Sequence, residues 1–425
     1  MPESPRRFLT VLWVLVVAIL LVTPLVMVPY SFDVFRTPKD AVFVSLSLLL
    51  IAALAGGALL SDDAARLLRM RAPIVFVALA APLWTAVVTL TSMRPGVSLY
   101  KPLTVVCCSA FVVATLLTVK GRHFSALMVV LAPAAVNSLL ATVQSTGVWQ
   151  PWAIDPRIPF RLRTTGLIGN PNDLGTYLTL PALAAFAAAI AWPRRKWMYG
   201  VAVLFLIGIA SAQSVTPVVA AVAGLFVMAV TSTTRRLRYA TFGALAALIV
   251  IAAVHPASRT RFARLFESAA IGRLPELTSM RVVPAATAWR MFLDRPLVGV
   301  GPGGFSALYM TAKLETDAAY PQWIRVGADS FSQVHNDHLQ VLAETGLPGY
   351  AIFIAALGLL GAITFRRGEV ADERVRFART FAFPAAVSFA MLTLAQFPLQ
   401  LTAPMVPALY LGALCFAWTA GDESV

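Results

Sequence analysis

Residues 173–213 read DLGTYLTLPALAAFAAAIAWPRRKWMYGVAVLFLIGIASAQ. Two apolar runs flank one short gap, Pro193-Arg194-Arg195-Lys196. Each run is close to the ~20 residues a helix needs to cross a bilayer. The gap carries only positive charge, as short loops retained on the cytoplasmic side do. Spanning strands would alternate polar and apolar over about 10 residues, and these runs do not.

The same pattern extends through all 425 residues. Hydrophobic residues make up 59% of the chain and charged residues 13%, with a mean hydropathy of +0.77. A soluble domain carries roughly 25% charge, so this chain lacks the polar surface to stay dispersed in water. We expect an all-α polytopic membrane protein of about twelve transmembrane helices. The runs lie near 8–29, 41–60, 73–92, 101–119, 124–146, 173–192, 197–213, 216–232, 239–254, 347–365, 378–397 and 402–419. A long periplasmic segment separates spans nine and ten. Arg6 and Arg7 before an apolar run resemble a signal peptide. The run from Phe8 to Tyr30 is too long for one, and no small-residue cleavage site follows, so it reads as a retained first span.

Counting basic residues gap by gap gives the topology. With the first end inside, the cytoplasmic segments hold 18 of the 34 Lys and Arg residues, all in short stretches. This predicts both termini in the cytoplasm. The net charge of +14 then follows from positive-inside topology, and membrane lipids are the expected surroundings, with no nucleic acid as partner. Two outer segments hold most of the rest. One is the loop 147–172, with Arg157, Arg161 and Arg163; the other is 255–335, with Arg281, Arg290 and seven more. A long translocated segment is exempt from the charge rule, so its basic residues are free for function. The expected organisation is spans one to nine over 1–254, a partly helical periplasmic cap over 255–346, and spans ten to twelve over 347–425. Cys107, Cys108 and Cys415 all fall inside spans, which argues against a disulfide or a metal site.

Three stretches hold candidate chemistry. The first is Val334-His335-Asn336-Asp337-His338-Leu339-Gln340, running on to Gly346-Leu-Pro348-Gly349 where span ten begins. His335 and His338 are three apart and would share a face of a helix, which Gly346, Pro348 and Gly349 would end. A histidine at a membrane surface suits general-base work. A metal pair is a weaker match, because zinc helices space their histidines four apart around a Glu. Helix capping is the third reading, and spacing alone leaves all three open. The second stretch is Arg161-Leu-Arg163 through Gly169-Asn170-Pro171-Asn172-Asp173. The two arginines would point the same way if extended, guanidinium groups bind phosphate bidentately, and Asn172 or Asp173 can cap span six. The third is a helix over 281–294, carrying Arg281, Trp289 and Arg290, followed by Gly299-Val-Gly301-Pro-Gly303-Gly304. The glycines lack the Lys-Ser/Thr of a nucleotide-binding loop.

His335-Asn336 followed by Gly346-x-x-Gly349 resembles the signature of the O-antigen ligase and polymerase superfamily. Arg281…Trp289…Pro296-Leu-Val-Gly299-Val-Gly301-Pro-Gly-Gly-Phe305 is similar to the segment that precedes it there. Arg163…Gly166…Gly169-Asn170-Pro171-Asn172 is similar, more loosely, to an earlier one. The resemblance implies glycan transfer from undecaprenyl pyrophosphate to an acceptor hydroxyl at the periplasmic face of a bacterial inner membrane, with no cofactor and no metal. It is nearest to a ligase, whose acceptor is the lipid A core. Polymerases and pilin-glycosylating enzymes share the motif. His335 takes the position of the catalytic histidine, with His338 a second candidate. Arg161, Arg163 and Arg281 are the expected pyrophosphate ligands, with Asn336 and Arg290 as further substrate contacts. A lipid-linked oligosaccharide flippase is the alternative from another class. Transporters place ionisable sites near the membrane midplane, whereas here basic residues gather outside the spans.

Overall fold

A computed structural model describes residues 3–60, 72–119, 121–150, 158, 160–323, except for parts of 232–280, and 330–366 and 372–419. The described residues form helices and connecting turns. In chain order these are α1 (Glu3–Val22), α2 (Arg36–Leu60), α3 (Ala72–Leu90), the short α4 (Pro95–Ser98), α5 (Tyr100–Thr118) and α6 (Phe124–Thr146). Then come α7 (Pro171–Ala191), α8 (Met198–Ser211) and α9 (Val215–Thr231). Next come α10 (Val282–Asp294) and α11 (Gly304–Ala319), and α12 (Asp337–Ala362), α13 (Glu373–Ala395) and α14 (Thr402–Thr419) close the described chain.

Among the described residues, seven helices are long and apolar enough to cross a membrane, and four shorter apolar helices accompany them. Eleven of the twelve expected runs therefore coincide with helix. The ninth, 239–254, lies largely outside the described residues, as does the gap 61–71. Several boundaries differ from expectation; α12 begins at Asp337, ten residues before the expected start of span ten, and α13 at Glu373, five before that of span eleven. Span one ends at Val22, because Pro24 and the turns that follow it break the helix. Span two begins at Arg36, five residues early, so charged residues sit on its first turn.

α7 is the hub of the bundle. It packs against α6, α8, α9, α13 and α14, and it is buried along almost its whole length. Its run of alanines lets neighbouring backbones come close, which is how helices associate where lipid offers no hydrophobic contrast.

The connections sort to two ends. At one, Trp192, Phe377 and Trp418 form an aromatic cluster, and the short basic gaps lie over rings: Arg122 over Trp13 and Arg195 over Phe124. At the other, residues near 24, 39, 92, 137, 167, 295, 336 and 399 are tied together by hydrogen bonds. Alternate gaps thus meet at opposite ends, as the basic-residue count requires.

Candidate functional site

The chain enters the site through a conformational break. His335 adopts φ +58°, a left-handed conformation that histidine tolerates better than most residues. Asn336 follows in an extended conformation and caps α12, its side-chain oxygen accepting from Leu339 N at 3.0 Å. The helix therefore starts at Asp337. His335 and His338 do not share a helical face, because His335 lies before the cap.

The two histidines have different surroundings. His338 lies inside the bundle, between α12 and α13. Its Nδ1 is 3.1 Å from the Tyr350 hydroxyl and its Nε2 is 2.9 Å from the Thr393 hydroxyl. His335 stands between two rings, edge-on to Phe331 at 5.9 Å and to Phe397 at 4.6 Å. Its Nδ1 is buried and has no partner among the described residues. Burial lowers its pKa to about 4, and the charges of Arg281 and Arg36 push in the same direction. The ring is therefore neutral near pH 7.

The loop before His335 is strapped to α12. Val334 N donates to Gln340 Oε1, and Gln340 Nε2 donates to Gln333 and to Glu344. Glu344 in turn accepts from Gly303 N at 2.8 Å. The glycine loop lies across the same helix, with Val300 N and Gly301 N donating to the carbonyls of Ala343 and Glu344. At Gly346 the helix kinks but does not end, contrary to the expected stop. Its φ of +68° and ψ of −170° are open only to glycine, and a Cβ there would lie 2.3 Å from Leu297 O. Gly299 has φ +67°, and a Cβ there would lie 2.5 Å from the Glu344 carbonyl carbon. The two glycine motifs, far apart in sequence, are the two sides of one backbone contact.

The turn 396–401 between α13 and α14 is the other wall. Asp337 Oδ2 accepts from Leu399 N at 2.8 Å, and Lys101 Nζ donates to Gln400 Oε1 at 2.6 Å. Thr402 donates to Asp40. Arg281, the residue before α10, donates from Nη1 to Ala395 O at 2.5 Å, and burial lowers its pKa. Arg281 and His335 therefore come to the same turn.

The remaining expected contacts are placed less uniformly. Arg163 closes a single 3₁₀ turn, Phe160–Arg163, rather than an extended strand, so Arg161 and Arg163 do not alternate. Arg163 Nε donates to Ile158 O at 3.0 Å; the Arg161 side chain and Arg157 lie outside the described residues. Asn170, not Asn172 or Asp173, caps α7, with Pro171 at its first position. That frees Asp173 to receive Arg36 Nη2 at 2.8 Å. Arg290, on α10, pairs with Glu315 on α11 at 3.0 Å. Arg36, Lys39, Asp40, Lys101 and Phe397 gave no motif, and Asp173 stood in the second stretch only as a candidate helix cap. The available signal was the charge at the start of spans two, four and six.

Residues 200–354 match the family described as O-antigen ligase. That match, over part of the chain, supports the O-antigen ligase and polymerase superfamily. Members of this superfamily are membrane enzymes of the glycosyltransferase type. The match takes in Arg281, both glycine motifs, His335 and His338, while the walls built from α2, α7 and the 396–401 turn lie outside it. A comparison with curated proteins found none that matches.

Proposed function

We propose that this protein is an O-antigen ligase. It transfers a polysaccharide from undecaprenyl pyrophosphate to a hydroxyl of the lipid A core, at the periplasmic face of the inner membrane, in lipopolysaccharide biosynthesis. The observation that carries the reading is His335: a neutral, part-exposed imidazole between two rings, with Arg281 and Arg36 acting on it.

His335 takes the proton of the acceptor hydroxyl. The oxygen forms a bond to the anomeric carbon as the carbon–oxygen bond to pyrophosphate breaks, and the electron pair leaves on the phosphate oxygen. Direct displacement inverts the anomeric configuration. Arg281, Arg163 and Arg161 offset the charge that grows on the leaving group, so the proposed chemistry needs neither metal nor cofactor. His338 is not the base, because both ring nitrogens are engaged between α12 and α13. Asn336 spends its oxygen on the α12 cap and Arg290 is held by Glu315, so neither is assigned a phosphate.

The test is reconstitution of the full chain with a lipid-linked donor, with and without lipid A core. Transfer to the core without an energy source is the expected result. Elongation of donor alone would identify a polymerase, and glycosylation of pilin a protein-modifying relative. Relocation of donor with no new glycosidic bond would overturn the reading in favour of a flippase.

A further inference from the structure

Arg36 opens α2, far in sequence from the matched residues, and its place is set from two directions. Asp173 is one: its side chain is 5% exposed, and a carboxylate so buried requires a charged partner. Arg36 Nη2 supplies it at 2.8 Å. Phe397 is the other, with the Arg36 guanidinium carbon 5.8 Å from the ring centre. His335 meets that same ring edge-on at 4.6 Å. One aromatic ring therefore touches both the guanidinium and the imidazole.

Although fixed, the Arg36 side chain stays 43% exposed. It borders a small, open polar cleft lined also by Lys39, Asp40, Asp173, Gln400 and Thr402. The other charged groups there are already occupied. Lys39 donates to the carbonyls of Val26, Phe35 and Leu167, and Asp40 accepts from Thr402. A guanidinium has five N–H donors in a fixed fork, and Asp173 takes only one edge of this one. Such a preorganised group suits an anion that it can contact without moving.

We propose that Arg36, fixed by Asp173 and Phe397, is a further residue that binds the donor's diphosphate, and that it couples donor arrival to His335 across the Phe397 ring. This rests on the glycan-transfer reading. The positive charges of Arg281 and Arg36 both disfavour a proton on His335. Lys39, Asp40, Lys101, Asp173, Asp337 and Glu344, on the elements around it, are committed to other partners. Phosphate oxygens beside the two arginines offset their charge, so the imidazole gains proton affinity when a donor is bound. The base becomes effective when there is a transfer for it to assist.

The experiment uses the full chain in lipid nanodiscs, with undecaprenyl pyrophosphate as the binding probe and the lipid-linked glycan as substrate. Arg36→Ala should weaken probe binding and raise donor KM by about tenfold to a hundredfold, the worth of a hydrogen bond to a charged group. It should also move the acid limb of kcat/KM to higher pH, because one positive charge near His335 is gone. Arg36→Lys keeps the charge, so its acid limb should stay in place while donor KM still rises. Arg36→Ala with Asp173→Asn removes the stranded carboxylate and controls for misfolding. Probe affinity and acid limb both within twofold of the parent protein in that double variant would overturn the proposal. Probe binding needs no transfer, so absence of transfer by the parent protein would sink the functional reading and leave the Arg36 assignment decided by affinity alone.

Discussion

At the scale of single residues, the two histidines make opposite predictions. His335→Ala removes the proposed base, and turnover should fall by about 10²–10⁴-fold with the protein still inserted. His338→Asn breaks the contacts to Tyr350 and Thr393, so thermal stability should fall, while the loss of turnover stays below the ~10²-fold that a missing base costs. A larger loss of transfer in His338→Asn than in His335→Ala would reverse the assignment. The pH dependence follows from the His335 pKa, lowered from 6.5 to about 4. The unfolded chain binds this proton below pH 6.5 and the folded one only near pH 4, so its contribution favours folding above 6.5 and is lost as pH falls from there towards 4. Catalysis shares the sign: the ring is an unprotonated base at pH 6, and the acid limb of kcat/KM should fall well below 6.5. The profile of kcat, measured with donor bound, should have its acid limb at higher pH than that of kcat/KM. Coincident limbs near 6.5 would show that His335 has an ordinary environment. Sequence singled out both histidines but could not separate them. The helix register that paired them depended on where α12 begins, and that is set by the left-handed His335 and the Asn336 cap.

At the scale of elements, the contact between 296–303 and 343–347 is what places His335. Gly346→Ala adds a Cβ 2.3 Å from Leu297 O in a backbone region closed to other residues. The strain alone is worth about 1–3 kcal/mol, and the clash forces the glycine loop off the helix. Melting in detergent should show a marked loss of stability, with transfer lost in parallel. Gly358 has no atom near its would-be Cβ, so Gly358→Ala is the control and should melt like the parent protein. Both glycine stretches were visible in the sequence, each as a local stop or turn. Their meaning was not, because it lies in a contact across more than forty residues. Glu344, within α12, ties that helix to the glycine loop through Gly303. Arg36 and Asp173 were missed for a related reason: Asp173 reads as a helix cap until Asn170 is seen to fill that place.

At the scale of the whole molecule, the hydropathy pattern carried most of the fold, because long apolar runs in lipid have few ways to satisfy their backbones other than as helices. What it could not show is that the ends of spans two, four, six, ten and twelve converge on one turn, 396–401. That convergence depends on packing around α7, whose alanine-rich faces say little about which neighbour they meet. The orientation of the two ends remains open to direct test. In a background lacking Cys107, Cys108 and Cys415, Tyr30→Cys and Val148→Cys each place a thiol at the His335 end, where these positions are 99% and 85% exposed. Gly121→Cys and Lys196→Cys place one at the Trp418 end, both on exposed positions. A membrane-impermeant maleimide added to cells with a permeabilised outer membrane should label the first pair and spare the second until the inner membrane is opened. The positive-inside count requires this result, because short gaps rich in Lys and Arg are retained. Labelling of the second pair alone in sealed cells would invert the protein. The diphosphate site would then face the cytoplasm, away from a lipid A core displayed on the other side, and the ligase reading would fail with the topology.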